Sequence, residues 1–413
     1  MRLKRQIHFV IYGALIMTII YTIPSCSQNP GAIKDIYDIT EDTALVVMPG
    51  AFQTSQYLPT LAGKKVGVVA NHTSLIGDVH LVDSLINAGI NVVKIFSPEH
   101  GYKGNAGAGE EVNDSKVEGN NLEVISLYGN SFKPKASDLK DIEIMVFDIQ
   151  DVGVRFYTYI STMHYVMEAC AENNVPLLIL DRPNPNGYFV DGPVLELKHS
   201  SFVGMHPIPI VHGLTMAELA LMINEEGWLK VNGKCDLQYV LCANYTHDSL
   251  YQLKVDPSPN LQYMKAIYMY PSIGLFEGTQ ASVGRGTDFP FMVFGFPSFP
   301  DTTFSFVPRT IENVSPNPKY KGKKCYGRDF RNENIDAIIK SKQIKIEWII
   351  EAYQTYKKDD FFISFIYNLA GNKLFSQQIK QGKSADEIRE SWQPELLKYK
   401  QMRKKYLLYE DFK

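Results

Sequence analysis

Five segments of this chain have the composition of buried parallel strands, and each is followed by a short run of polar residues or glycine. Apolar runs precede most of these polar ends, as at residues 66–70, 144–147 and 177–180. A parallel sheet covered on both faces needs such apolar strands, and it binds ligands in the crevice outside their carboxyl ends. We therefore expect five polar runs to meet at one cleft: Asn71-His72-Thr73, Ser97-Pro98-Glu99-His100-Gly101, Leu127-Tyr128-Gly129, Asp148-Ile149-Gln150-Asp151 and Asp181-Arg182-Pro183-Asn184.

Helical segments separate the predicted strands. The spacing of apolar residues predicts helices at residues 79–88, 158–173 and 214–226. At the start of the third, Thr215 and Glu218 have the spacing of a capping box. Strands that alternate with helices predict right-handed crossovers and a parallel sheet. The predicted fold class is therefore α/β, with a Rossmann-like domain over residues 61–234.

From residue 235 onwards the pattern changes. Shorter β-like runs alternate with turns such as Asp256-Pro257-Ser258-Pro259-Asn260. Helical patterns return at 335–356, and Ser384 with Glu387 predicts a further capped helix. We interpret residues 235–413 as a smaller α+β domain that closes a substrate cleft against the first domain.

The first 26 residues have the features of a bacterial lipoprotein signal peptide. Three basic residues precede an apolar stretch at 9–23, which is shorter than the roughly 20 residues of a transmembrane helix. The stretch ends in Ile23-Pro24-Ser25-Cys26, which is similar to a lipobox. We predict cleavage before Cys26, lipidation of its thiol and a tether over 27–60; the alternative is a plain secretory signal with an incidental cysteine. The predicted location is the cell envelope, lipid-anchored and either periplasmic or associated with the outer membrane.

Composition and loop sequences exclude several classes of function. A formal net charge of -3 gives no electrostatic reason to expect nucleic acid as a partner. Residues 70–74, after the first strand, lack a dinucleotide-binding glycine pattern, and the glycine-rich run 101–109 lacks the ending of a P-loop. We therefore predict no NAD, ATP or other cofactor. The cysteines have no spacing that suits zinc, so no metal is predicted either.

Glu99 is the first candidate for a catalytic residue. It lies between Pro98 and His100 at the end of the second predicted strand, before the glycine-rich loop. A carboxyl group partly removed from water suits a general acid; the alternative is a loop carboxylate that caps backbone N–H groups. Asp148 is either its partner carboxylate or a residue that holds its own loop by accepting N–H bonds. We assign Glu99, Asp148 and His100 as candidate catalytic residues.

Further polar residues are candidates for substrate binding. Arg155 and Arg285 have side chains that grip anions bidentately; the alternatives are a salt bridge from Arg155 to Asp151 and a tight turn around Arg285. His212 either points into the cleft or has a structural role. Aromatic rings beside carboxylates and amides suit a sugar, which offers apolar C–H faces and hydroxyl groups. The candidate set is Asn71, His72, Gln150, Asp151, Arg155, Tyr157, His212, Glu277 and Arg285.

These strings resemble the exo-β-N-acetylmuramidase family of bacterial glycoside hydrolases, formerly a domain of unknown function. The resemblance runs from about residue 61 to the C-terminus. It is carried by the polar strand ends named above, by the run from Asp148 to Tyr159, and by six further strings: Asp191-Gly192-Pro193, His212-Gly213-Leu214-Thr215, Pro257-Ser258-Pro259-Asn260, Tyr270-Pro271, Glu277-Gly278-Thr279 and Gly284-Arg285-Gly286-Thr287.

The resemblance implies a Rossmann-like domain, a smaller C-terminal domain and a role in cell-wall recycling. It implies release of terminal N-acetylmuramic acid from the non-reducing end of peptidoglycan fragments. The family's glutamate in the Ser-Pro-Glu-His-Gly string falls on Glu99, which becomes the principal catalytic carboxylate. The implied partners are peptidoglycan-derived sugars, with membrane contact through the lipid anchor.

Two other functions compete with this interpretation. A lipid-anchored muropeptide-binding protein without turnover would keep the aromatic rings and arginines but would not need Glu99 as an acid. An esterase is a weaker alternative, because the chain has no Gly-x-Ser-x-Gly elbow.

Overall fold

The computed structural model describes residues 46–107, 109–110, 112–117 and 122–413, and residues 46–413 belong to one compact unit. The strands are β1 (Lys65–Ala70), β2 (Leu75–Ile76), β3 (Val79–His80), β4 (Asn91–Ser97), β5 (Ser115–Lys116), β6 (Glu123–Ser126), β7 (Ile144–Asp148), β8 (Leu177–Leu180), β9 (Leu237–Val240), β10 (Val293–Phe296), β11 (Ser305–Phe306) and β12 (Cys325–Asp329). The α-helices are α1 (Thr54–Leu61), α2 (Leu81–Asn87), α3 (Ala136–Leu139), α4 (Tyr159–Asn173), α5 (Met216–Glu225), α6 (Met264–Ile273), α7 (Ile335–Ser341), α8 (Ile346–Tyr356), α9 (Ile366–Ala370), α10 (Leu374–Lys380) and α11 (Ala385–Arg403).

The predicted signal peptide and most of the predicted tether lie outside this range. The signal peptide, Cys26 and the tether up to residue 45 lie outside the described residues. From residue 46 the chain packs into the compact unit, and Tyr57 and Leu61 of α1 are buried. Among the described helices, none combines the length and the apolar composition needed to cross a bilayer.

The main sheet confirms the predicted α/β fold class with its Rossmann-like parallel sheet. Within the described residues it has seven strands in the order β5-β6-β4-β1-β7-β8-β9, and β5 alone runs antiparallel to its neighbour. The chain order reverses between β1 and β7, where an open α/β sheet forms its crevice. The sheet includes β9, which follows residue 234, so residues from both predicted domains contribute to it.

The apolar strand sequences are explained by two cores, one on each face of the sheet. Successive side chains of a strand point to opposite faces. Val66 and Val68 of β1 therefore enter one core with α1 and α2, while Val69 enters a second core with Phe147 of β7. The second core continues into the C-terminal part of the chain, where it includes Trp392 of α11. Packing on both faces leaves the strand ends as the place where polar side chains meet.

The C-terminal part is smaller and mixed in structure, as predicted. Its strands form an antiparallel sheet in the order β10-β12-β11, and helices α6 to α11 belong to the same part of the chain. Cys325 of β12 is buried, and the four cysteines of the described residues are unbridged.

The two predicted capping boxes are confirmed. Thr215 accepts a hydrogen bond from the Glu218 N–H at the start of α5, and Ser384 does the same with Glu387 at the start of α11. The predicted helix at 79–88 begins later than expected. Val79 and His80 instead form β3, which pairs with β2, and α2 starts only at Leu81.

Candidate active site

A cavity of about 560 Å³ lies where β4, β6 and the start of α4 meet residues from the C-terminal part. Parallel strands bring their carboxyl ends to one edge of the sheet. The loop after β4 lies at this edge, and so do Tyr157 and Thr158, which follow β7 and precede α4. The lining residues are Glu99, His100, Gly109, Glu110, Tyr128, Phe156, Tyr157, Thr158, Val203, Ser258, Leu261, Tyr270, Glu277, Arg285, Phe291, Val314, Ser315, Pro316, Asn317, Pro318, Lys319 and Phe365.

Glu99 lies on the sheet side of the cavity, where its carboxylate is held at both oxygens. Its side chain is buried, with 7% of the residue exposed. Gly109 N–H donates to Oε1 at 2.9 Å, and the Thr158 hydroxyl donates to Oε2 at 2.6 Å. Burial raises the pKa of Tyr128, and the charge of Glu99 and a hydrogen bond to it add to that rise, so Tyr128 keeps its proton beside the carboxylate. The carboxylate is therefore fixed within the cavity wall.

His100 follows Glu99 in an uncommon backbone conformation, with φ at 72°. A positive φ at the end of β4 turns the chain sharply into the glycine-rich loop. Nδ1 of His100 lies 2.7 Å from the Ala106 carbonyl oxygen, which requires a proton on Nδ1. Burial lowers the pKa of His100, against the opposing effect of Glu99. The neutral ring therefore has Nε2 as a hydrogen-bond acceptor.

The opposite wall carries charge from the C-terminal part. Arg285 Nε donates to Glu277 Oε1 at 2.8 Å, and the guanidinium carbon lies 4.9 Å from the centre of the Phe291 ring. Lys319 Nζ donates to the carbonyl oxygen of Thr279. Burial lowers the pKa of Lys319, while Glu277 acts in the opposite direction. Two cationic side chains therefore lie on the same wall as one carboxylate.

Tyr157 contributes to an aromatic surface of the cavity. Its hydroxyl donates to the Pro257 carbonyl oxygen at 2.8 Å, which ties the start of α4 to the loop before α6. Its ring packs edge-on against Tyr270, and Tyr270 packs in the same way against Phe291. Such ring faces match the apolar C–H faces of a sugar.

Asn71 and His72 do not line the cavity but support its surroundings. Asn71 is fully buried; its Oδ1 accepts from Thr73, and its Nδ2 donates to the Tyr159 hydroxyl at 3.0 Å. Nε2 of His72 lies 2.8 Å from the Asp256 carbonyl oxygen. Both side chains thus connect the end of β1 to neighbouring segments.

Asp148, Gln150 and Asp151 lie away from the cavity, contrary to the expectation that the five strand ends share one cleft. Asp148 is fully buried and forms a bidentate ion pair with Arg182, with nitrogen–oxygen distances of 2.5 and 2.9 Å. This pair occupies the crevice beside β7, so the carboxylate faces a permanent cation instead of the cavity. Gln150 and Asp151 line a void of about 10 Å³, Gln150 also lines a small cavity of about 30 Å³, and Gln150 Nε2 donates to the Pro183 carbonyl oxygen.

Asp181 is also interior. Its Oδ2 accepts from the Tyr409 hydroxyl at 2.6 Å, and its Oδ1 accepts from the Ala217 N–H at 3.0 Å. It therefore links the end of β8 to the start of α5 and to the C-terminal segment, and it is fully buried.

Arg155 and His212 are likewise part of the interior. Arg155 forms no salt bridge with Asp151. Its guanidinium donates instead to three backbone carbonyl oxygens, those of Pro193, Ile208 and Leu369. His212 is 1% exposed and its Nδ1 accepts from the Leu214 N–H, while burial lowers its pKa to about 3. Of the two predicted anion clamps, only Arg285 faces the cavity.

The sequence analysis did not select most of the lining residues as candidates, among them Thr158, Glu110 and Lys319. Thr158 lies inside the quoted run from Asp148 to Tyr159, but nothing in its spacing links it to Glu99. Lys319 follows Pro316-Asn317-Pro318 and has no motif signal at all. Among the described residues, no group of three or more His, Cys, Asp or Glu side chains is arranged to hold a metal ion.

The chain is similar in sequence to proteins of known family. The model "Exo-beta-N-acetylmuramidase NamZ, N-terminal" matches residues 66–265, and the corresponding C-terminal model matches residues 268–409. The peptidoglycan beta-N-acetylmuramidase NamZ of Bacillus subtilis (strain 168) is 37% identical over 374 residues, which cover 86% of this chain and 89% of that protein.

Solved structures agree with this match. A crystal structure of a DUF1343 family protein from Bacteroides fragilis NCTC 9343 has a TM-score of 0.83 and 45% identity, covering 89% of this chain and 99% of that one. A second DUF1343 family protein from the same organism has a TM-score of 0.72 and 27% identity, covering 88% of this chain and 99% of its own.

Proposed function

The chain belongs to the exo-beta-N-acetylmuramidase NamZ family, and from this premise we propose that it hydrolyses terminal β-linked N-acetylmuramic acid from peptidoglycan fragments, with Glu99 as the principal catalytic carboxylate. The observation that carries the proposal is the position of Glu99 in the wall of the 560 Å³ cavity, opposite Arg285. A buried carboxylate with fixed orientation, aromatic faces and a cation together suit an anionic sugar.

The proposed step is protonation of the leaving group. Glu99 gives its proton to the glycosidic oxygen while the bond from C1 to that oxygen breaks, and the electron pair of this bond stays on the oxygen. The sugar ring develops oxocarbenium character. Water finally adds its oxygen to C1 and releases a proton, which Glu99 takes up in the retaining route; in the inverting route the second carboxylate takes it up, and solvent then reprotonates Glu99.

The reaction also needs a second group, which assists the attack on C1. A carboxylate that activates water gives inversion, whereas the 2-acetamido oxygen of the substrate gives retention through an intramolecular intermediate. Glu110 and Glu277 are the other cavity carboxylates, and each accepts a hydrogen bond: Glu110 from Gly107 N–H at 2.7 Å and Glu277 from Arg285. NMR of the first product anomer distinguishes the two routes.

Glu99→Gln tests the catalytic role. The glutamine oxygen can still accept from Gly109 N–H, so the fold is retained, but no proton can be transferred. We expect turnover of N-acetylmuramyl-β-1,4-N-acetylglucosamine to fall by about 10²–10⁴-fold while binding persists. Glu123→Gln, which changes an exposed carboxylate of β6, is the matched control and leaves the rate unchanged. Unchanged turnover in Glu99→Gln would assign catalysis to a different group, whereas binding without turnover in both the wild type and the variant would favour a binding protein.

Arg285 is proposed to recognise the lactyl carboxylate that distinguishes muramic acid from glucosamine. Its guanidinium has N–H donors beyond the one used by Glu277, and Phe291 supports it from one face. We expect Arg285→Ala to reduce the preference for a chromogenic β-muramide over the matching β-glucosaminide by about 10- to 100-fold. Arg309→Ala, at an exposed ion pair with Asp288, is the control. An unchanged preference in Arg285→Ala contradicts the clamp.

Lipid anchoring through Cys26 is a further proposal, supported by the lipobox alone. We expect the full-length chain to fractionate with membranes and to carry an acylated N-terminal cysteine after cleavage. Cys26→Ser should release the protein into the soluble fraction, as measured by fractionation and intact mass. Identical fractionation of both proteins contradicts the anchor.

A further inference from the structure

The N-cap residue of α4 uses its side chain in an unusual way. Helices commonly begin with a threonine or serine whose oxygen accepts an N–H of the first turn. Thr215 and Ser384 do so at α5 and α11. Thr158 occupies the same position before α4, but its side chain makes no capping hydrogen bond. Its hydroxyl instead donates to Glu99 Oε2 at 2.6 Å.

The position of Glu99 is set by contacts from two different segments, its own loop and a helix. The loop after β4 is irregular, and it turns at Gly101, Gly104 and Gly109, whose positive φ values glycine adopts without strain. Gly109 N–H, which holds Oε1, belongs to that same loop. Thr158 belongs to the rigid start of a 15-residue helix whose first residues are buried. The contact with Thr158 therefore fixes the carboxylate of Glu99 relative to helix α4.

We propose that Thr158 is the positioning residue of the catalytic carboxylate, an inference that rests on the proposed function of Glu99. A hydroxyl group donates to Oε2 when the carboxylate is ionised and also when the acid proton lies on Oε1. Thr158 thus stays bonded to Glu99 before and after the proton moves from Oε1 to the glycosidic oxygen. Valine, which has the same shape, has no donor for Oε2 in either state.

The test compares two substrates that differ in their need for an acid. N-acetylmuramyl-β-1,4-N-acetylglucosamine has a sugar leaving group that must be protonated, whereas 2,4-dinitrophenyl β-N-acetylmuramide has a leaving group that departs as the anion. We expect Thr158→Val to lower kcat on the disaccharide by about 10²-fold, since small misplacements of a catalytic group have effects of this size. Its kcat on the dinitrophenyl substrate should change by less than about 3-fold, with KM for both retained. Thr158→Ser restores the hydroxyl and should restore the disaccharide rate.

Thr215→Val is the matched control, because it makes the same substitution at a threonine that does cap its helix. It should lower Tm and leave the ratio of the two kcat values at that of the wild type. The inference is overturned if Thr158→Val retains the disaccharide rate, or if it lowers both rates equally, because an equal loss indicates a general structural role. Failure of the proposed function has a different signature: Glu99→Gln then retains the disaccharide rate.

Discussion

Asp151 was predicted to bind substrate, but it is buried away from the open cavity. Its titration provides a quantitative test of whether burial keeps this carboxyl group neutral. Its Oδ2 accepts from Gly153 N–H at 2.7 Å, whereas its Oδ1 is buried without a hydrogen-bond partner in the described structure. Burial raises the pKa of Asp151 from 3.8 to about 7, against the opposing effect of nearby backbone N–H groups. The perturbation is Asp151→Asn, which keeps the shape and removes the ionisable proton.

The sign of the pH dependence follows from the raised pKa. The contribution of Asp151 to stability is fully present below pH 3.8 and is lost as the pH rises through about 7. At about 1.36 kcal/mol per pH unit, the full loss is about 4 kcal/mol, of which about 3 kcal/mol falls between pH 5 and pH 8.5. The 46–413 unit has an unfolding entropy of about 0.8 kcal/mol/K. A loss of about 3 kcal/mol between pH 5 and pH 8.5 therefore lowers Tm by about 3–4 °C.

The assay is thermal unfolding of wild type and Asp151→Asn at pH 5 and pH 8.5. We expect the Tm of the variant, relative to wild type, to be about 3–4 °C higher at pH 8.5 than at pH 5. Asp141→Asn is the matched control, because this carboxylate is 76% exposed and its substitution should give the same Tm difference at both pH values. A pH-independent difference for Asp151→Asn would refute the argument that burial holds this group neutral.

Three further substitutions test the interior contacts. Arg155→Ala takes the guanidinium donor away from the buried carbonyl oxygens of Pro193 and Leu369, at about 1–3 kcal/mol each, and leaves that of Ile208 with the Leu195 N–H, so we expect a large drop in Tm or in soluble yield, and a near-native Tm would contradict the assignment. Asp148→Asn leaves Arg182 as an uncompensated buried charge and should cost about 3–5 kcal/mol in urea unfolding; a loss below about 1 kcal/mol would argue against the buried pair. Ser384→Ala removes the cap of α11 and should cost about 1 kcal/mol by the same measurement with unchanged kcat, whereas an unchanged stability would show that the cap contributes nothing.

The sequence predicted those site residues best whose position depends only on the adjacent strand. The Ser-Pro-Glu-His-Gly run follows a buried strand, so its position at the carboxyl edge of the sheet follows from strand polarity alone. Asp148 also ends a strand, but its direction is decided by Arg182, which lies 34 residues away in the chain. The sequence contains no signal for such a pairing, because the charge partner is selected by packing across neighbouring strands.

The same distinction applies to the C-terminal residues of the cavity. Glu277 and Arg285 were predicted to bind substrate, and they do line the cavity, yet Lys319, which lines it as well, was not predicted. Its side chain reaches the Thr279 carbonyl only because residues 314–319 fold back over the cavity. An irregular segment has no periodicity from which such a path can be read.

The sequence by itself determined the parallel α/β architecture, the capped helices and the location of Glu99 at a strand end, because hydrophobic periodicity, capping and strand polarity are local properties. Only the tertiary structure decided which polar strand ends remain open to a ligand and which become buried pairs. It also decided that Thr158, 59 residues from Glu99, holds its carboxylate. Contacts of this kind depend on side-chain packing between distant segments, and short-range patterns carry no information about them.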